Sequence, residues 1–175
     1  VYMDYHATTP VDQRVLDAMA RVPRHEFVLP ELRPYAYLDE PLPIGFDKTI
    51  SQPFMVALMT DLLDVQQGDK VLEVGTGLGY HAAILAELAA AVFSVEIIEE
   101  LAERAGDTLR HLGYGNLEMR VGDGSKGWHE HAPFDKILVA AAPDLVPPSL
   151  ILQLKPGGKM VVPAGLPGDQ QLMLV

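Results

Sequence analysis

The chain contains no cysteine, which excludes disulfides and thiolate metal sites and fits a reducing compartment. It has no run of Lys or Arg, and its acids outnumber its bases 24 to 13, a formal net charge of −11. Phosphate backbones are held by clustered cations, so this balance argues against nucleic acid as the main partner. Long apolar runs are missing too. Glu87 breaks the stretch from Ala82 to Val95, and Asp144 with several prolines breaks the one after Ile137, so no membrane span is expected. The N-terminus lacks a basic segment followed by an apolar one, and no signal peptide is visible. A soluble, cytoplasmic protein without membrane partners is the expectation. What is present is a folding composition, 49% hydrophobic and 21% charged over 175 residues. That length suits one domain spanning 1–175, with a helix-and-loop cover over 1–53 and a core over 54–175.

The core is organised around residues 69–80, Asp-Lys-Val-Leu-Glu-Val-Gly-Thr-Gly-Leu-Gly-Tyr. Val71, Leu72 and Val74 read as a strand buried on both faces of a parallel sheet. Gly75, Gly77 and Gly79 follow at alternate positions, and His81 to Leu88 reads as a helix. A strand, a glycine turn and a helix start make a nucleotide-type pocket, because bare backbone can turn sharply and lie against a ligand. The dinucleotide fingerprint is Gly-x-Gly-x-x-Gly. Here the spacing is one residue shorter, with Glu73 inside the strand. That arrangement resembles the first motif of the class I S-adenosylmethionine-dependent methyltransferases. A dinucleotide enzyme and a plain connecting turn remain the competing readings of the motif alone.

Beyond it, Ala91 to Val95 forms a second apolar strand ending at Glu96, 17 residues past Gly79 and 21 past Gly75. A carboxylate there can accept hydrogen bonds from both ribose hydroxyls of a nucleoside. Glu99 to Leu112 reads as a helix ended by Gly113 and Gly115. Leu117 to Val121 is a third strand running into Gly122-Asp123-Gly124, where Asp123 can accept a hydrogen bond from an adenine amino group. An acid at a solvated strand end and an ordinary Asp-Gly turn are the plainer readings of these two positions. His129, Glu130 and His131 alternate without a third ligand nearby, so they read as a solvated loop and no metal is expected. Phe134 to Ala140, Lys159 to Pro163 and Gln170 to Val175 supply further strands, with a short helix from Pro147 to Leu154 and a turn at Lys155–Gly158. The order implies an α/β fold, a doubly wound, mostly parallel sheet with helices on both faces.

Upstream, Thr9, Pro10 and Asp12 form a helix-start signal, with Val15, Met19 and Val22 on one face. Val1 to Asp12 resembles the N-terminal stretch of cysteine desulfurases, but no lysine-bearing segment for pyridoxal phosphate follows, and no activity is assigned to it. Val15 to Val28 resembles the lead-in of protein-L-isoaspartate O-methyltransferases. Leu42 to Gly45 followed by Thr49-Ile-Ser-Gln-Pro53 is the most specific stretch of that resemblance, and Ala141-Ala-Pro143 repeats it downstream. Asp47 departs from the family, which has a second glycine there. The likeness covers roughly 15–175, and family members continue for several tens of residues more, so the chain reads as C-terminally short.

The resemblance implies transfer of a methyl group from S-adenosyl-L-methionine, leaving S-adenosyl-L-homocysteine, to the α-carboxylate of L-isoaspartyl residues in damaged peptides and proteins. It implies Ser51 as the catalytic hydroxyl, with Thr49, Ile50 and Gln52 binding substrate. It implies Glu73, Gly75, Thr76, Gly77, Gly79, Glu96, Asp123 and Gly124 around the cofactor. Ser51 has a plainer reading as the N-cap of a helix from Phe54 to Leu63. A small-molecule methyltransferase and a silent cofactor-binding module are the alternatives in function.

Overall fold

The computed structural model describes residues 10–166 and 169–175. Thr9 and most of the desulfurase-like stretch lie outside them. Helix α1 spans Gln13–Arg21, and its N-cap is Asp12, whose side chain accepts from the amide of Arg14. The proline expected at the first helical position therefore precedes the helix. Val15 and Ala18 are its buried face, and Val22 is buried just beyond it. Short 3₁₀ segments at Arg24–Phe27 and Pro30–Tyr35 follow, then a hairpin of β1, Leu42–Gly45, and β2, Lys48–Ile50. The hairpin replaces the plain loop expected before Pro53.

The core alternates strands and helices: α2 Pro53–Leu63, β3 Lys70–Val74, α3 Tyr80–Leu88, β4 Ala91–Glu96, α4 Glu99–His111 and β5 Leu117–Val121. After these come β6 Phe134–Val139, α5 Pro148–Leu152, β7 Leu154–Ala164 and β8 Gln171–Leu174. The main sheet has the order β5-β4-β3-β6-β7-β8. Its strands pair in parallel except β8, which runs antiparallel to β7. Lys155–Gly158 is not the expected turn. It lies within β7, where the register against β6 slips between Phe134 and Lys136.

Alternation along each strand sends side chains to opposite faces. Val71, Val92, Leu138 and Val161 pack under Leu63 of α2 and Leu85 of α3. Leu72, Val95, Ile137 and Met160 face the other way, onto Trp128 and Leu150 of α5. A third cluster joins Val22, Ile44 and Ile50 of the cover to Ile84 of α3 and Leu101 of α4. The sheet is thus covered on both faces, the α/β doubly wound arrangement. Among the described residues, no helix is long and apolar enough to cross a membrane.

Candidate active site

The sheet order reverses between β3 and β6, because the chain winds outward to β5 and then returns to the other side of β3. In such sheets a crevice opens at the carboxyl ends of the strands at that switch point. A cavity of about 510 Å³ lies there, within the usual size for a small-molecule site. Each of four strand tips supplies wall: Gly75 and Gly77 after β3, Glu96 and Ile97 at β4, Asp123 and Gly124 after β5, and Ala140 to Pro143 after β6. The hairpin closes one side with Ile44, Asp47, Lys48 and Thr49.

The glycines have separate reasons. Gly75 and Gly77 adopt φ +94 and +56. A Cβ on Gly75 meets the backbone of Ala141 at 3.3 Å, and one on Gly77 meets Ile44 of the hairpin at the same distance. These two turns are therefore held close to β6 and to the cover. Gly79, the N-cap of α3, faces Leu109 and Ala105 of α4 instead. It packs helix on helix and is not part of the cavity wall. A Cβ on Gly124 collides with the side chain of Val74.

Glu96 is held by the backbone. Its Oε2 accepts from the amide of Gly77 at 2.8 Å and its Oε1 from the amide of Ile98 at 3.0 Å. A carboxylate offers about four acceptor positions, so roughly two stay open. Asp123 accepts from the amide and hydroxyl of Ser125 through Oδ1, at 3.0 and 2.7 Å. The Ser125 hydroxyl and then its amide hold the Asp123 carboxyl below the usual range. Its Oδ2 lies 3.8 Å from Lys126. Both acids thus enter one cleft beside Gly77 with open acceptor positions.

Glu73 and Thr76 sit elsewhere. Both are buried, and neither lines the cavity. Ser94 links them: its hydroxyl donates to Glu73 Oε2 at 2.5 Å, and Thr76 Oγ1 lies 2.5 Å from the same hydroxyl. Among the described residues, the buried Glu73 Oε1 has no partner. Burial pushes the Glu73 carboxyl up to about 8, with Ser94 lowering it and Glu96 raising it. These three side chains form a buried polar strut beneath the glycine turn. Nearby, His81 Nε2 lies 2.8 Å from Thr60 Oγ1. The Thr60 hydroxyl already donates to the carbonyl of Val56, so the imidazole acts as donor. Burial lowers the His81 pKa to about 3 and keeps the ring neutral.

The hydroxyl-bearing segment divides by alternation. Ile50 is a core residue, 8% exposed and packed in the cluster beneath the cover. Thr49 lines the cavity, whereas Ser51 follows the end of β2. Ser51 does not cap α2: the N-cap is Gln52, which makes no side-chain cap bond. Ser51 and Gln52 are half-buried and stand outside the cavity wall. The Ser51 carbonyl instead accepts from Arg24 Nη2 at 2.7 Å, while Arg24 Nε donates to the carbonyl of Ala36 at 2.6 Å. The guanidinium lies 4.7 Å from the Tyr80 ring centroid. Arg24 was not singled out from sequence, nor were Lys48 and Ala140. A buried arginine announces itself only through partners distant in the chain.

The family model for protein-L-isoaspartate(D-aspartate) O-methyltransferase matches residues 5–175. A protein-L-isoaspartate O-methyltransferase 1 of Polaromonas sp. is 68% identical over 165 residues, which cover 94% of this chain and 70% of the relative. A solved protein-L-isoaspartate O-methyltransferase superposes with a TM-score of 0.84 at 33% identity, over 94% of this chain and 55% of the other. A Plasmodium falciparum structure in complex with S-adenosyl-L-homocysteine shares the fold, with a TM-score of 0.80 and 23% identity, over 93% of this chain and 81% of that one. Strand order, the cleft at the switch point and these likenesses agree. The chain belongs to the protein-L-isoaspartate(D-aspartate) O-methyltransferase family.

Proposed function

We propose that this chain transfers a methyl group from S-adenosyl-L-methionine to the α-carboxylate of L-isoaspartyl residues in damaged proteins. The observation that carries the reading is the shared cleft: Gly77, Glu96 and Asp123 open onto the same cavity as Thr49 of the hairpin. The cavity suits a nucleoside with an amino-acid arm. Glu96, with open acceptor positions, would hold the ribose hydroxyls, Asp123 would take the adenine amino group, and Gly75 and Gly77 would leave room for the methionine half. Gly124 keeps the loop after β5 close to Val74 at the base of the cleft. Glu73 and Thr76 act from below, through Ser94, by holding the turn in shape. When bound, the cofactor supplies a methyl group on a sulfonium, whose charge cancels against the carboxylate that takes it.

The chain's own residues have a modest chemical task. A carboxylate with an ordinary pKa of ~4 is ionised at neutral pH and needs no general base. The hydroxyls of Thr49 and Ser51 hold and orient it, and the apolar wall of Ile44, Val139 and Leu150 keeps water from competing. Gln52, at the head of α2, flanks the incoming peptide. No metal is invoked, since a neutralising displacement requires no Lewis acid.

The test is incubation with labelled S-adenosylmethionine and matched aspartyl and isoaspartyl peptides. Base-labile ester on the isoaspartyl peptide alone is the expected result. Cofactor binding without label on either peptide would point to another acceptor or to a silent module and would overturn the assignment.

A further inference from the structure

The turn of the β1–β2 hairpin reaches the cleft with two charges. Gly45 pairs with Lys48 across the hairpin, leaving Phe46 and Asp47 as the two turn residues. Both hold left-handed backbone, φ +56 and +55, a conformation that strains a non-glycine residue and that Asp tolerates better than most. Asp47 and Lys48 both line the cavity and are exposed. Among the described residues, neither has a side-chain hydrogen bond or ion pair, and they do not pair with each other.

The other two acids of the cleft are engaged. Glu96 is bound to two backbone amides and Asp123 to Ser125. Among the described residues, Asp47 is thus the cavity-lining acid without a protein partner, and it is exposed to an incoming polypeptide. On the methyltransferase reading Lys48, beside Thr49 in the cavity wall, would meet the α-carboxylate common to every substrate and so would not discriminate among peptides. The partner of Asp47 is whatever residue stands beside the isoaspartyl position, and that residue varies.

We propose that Asp47 sets the peptide preference of this site, favouring an isoaspartyl residue flanked by lysine or arginine over one flanked by aspartate or glutamate. This rests on the methyltransferase reading above and adds the chemistry of the flanking residue. The pair it forms is solvent-exposed, so the preference is modest and salt-sensitive.

The experiment uses isoaspartyl peptides identical except for Lys, Gln or Glu beside the isoaspartyl residue, each assayed for kcat/KM. The wild-type protein is expected to favour the Lys peptide over the Glu peptide by about three- to tenfold at low salt. The ratio should fall toward unity near ~0.5 M salt. Asp47→Asn preserves the left-handed turn and removes the charge, and is expected to bring the ratio to unity. Asp47→Gly does the same with an unstrained backbone, which keeps the test usable if the first variant folds poorly. A wild-type ratio of unity or below, or an unchanged ratio in both variants, overturns the proposal. Equal labelling of all three peptides refutes the preference while leaving the methyltransferase reading intact. Absence of label on every isoaspartyl peptide refutes both.

Discussion

The two walls of the cleft are built on opposite principles. The strand-tip wall rests on regular structure: parallel strands end in step, and its acids are fixed by backbone amides or a neighbouring serine. The polar strut of Glu73, Ser94 and Thr76 supports it from inside the sheet. The cover wall has only a two-stranded hairpin and 3₁₀ turns. It leaves Tyr35, Tyr37, Leu38 and Phe46 exposed, and Arg24 ties it down. The contrast teaches a division of labour. On the proposed reading, a cofactor of constant shape would be met by rigid backbone, and a polypeptide acceptor of variable sequence by an exposed, irregular surface.

The sharpest way to break the contrast is to cut the tie. Arg24 bonds the carbonyls of Ala36 and Ser51 from a buried position. Arg24→Ala leaves those carbonyls unpaired and removes the contact with Tyr80, and is expected to cost about 2–4 kcal/mol of stability. Denaturant unfolding checks the magnitude. Peptide turnover should fall more than cofactor affinity, and an equal loss of both would mean the two walls are not separable.

Glu96→Ala attacks the rigid wall. It removes acceptors for the ribose hydroxyls and frees the amides of Gly77 and Ile98, with an expected loss of about 1–3 kcal/mol in cofactor binding. Calorimetry with S-adenosylhomocysteine measures it, and unchanged affinity would take Glu96 out of the binding site.

The strut beneath that wall has a pH signature. The folded state raises the Glu73 pKa to about 8 from its ordinary value of 4.5, so between these values the native state holds more protons than the unfolded one. Stability from this group is present below the lower value and is lost as pH rises through the higher. His81 slopes the other way: lowered from 6.5 to about 3, it withdraws stability as pH falls through that interval. Glu73→Gln should flatten the decline between about pH 4.5 and pH 8 and raise stability near pH 8. Thermal melts from pH 5 to pH 9 that keep the wild-type slope would show that Glu73 is not the titrating group.

Ser51→Ala is expected to have the smallest effect. Loss of one hydroxyl to an ionised substrate should lower turnover about fivefold, near ~1 kcal/mol, with cofactor affinity unchanged. Steady-state rates equal to those of the parent would leave the carboxylate to Thr49 and Lys48.

Much of the rigid wall was legible in the chain. Apolar runs, glycine spacing and acids at strand ends are local signals, and Gly75, Gly77, Glu96 and Asp123 all reach the cleft. The local signal cannot tell which way a neighbouring residue faces. Gly79 sits in the same glycine run yet serves the packing of α4, and Glu73 and Thr76 turn into the sheet rather than the cavity. The cover was less readable. Its prolines suggested a loop, whereas Leu42–Gly45 and Lys48–Ile50 form a hairpin through a turn made without the usual glycine. Ser51 has the residue type of a helix cap, but α2 begins after Gln52 and the serine's carbonyl is held by Arg24.

By itself the sequence determined the alternation of strands and helices, the family and the set of groups available for chemistry, because periodicity and motif spacing act over a few residues. Only the tertiary structure decided which of those groups share a cavity, which are buried as support and where the unpaired charges of Asp47 and Lys48 stand. Those outcomes depend on strand order and on contacts between residues far apart in the chain, and burial, which sets both pKa and access, arises only when such contacts form.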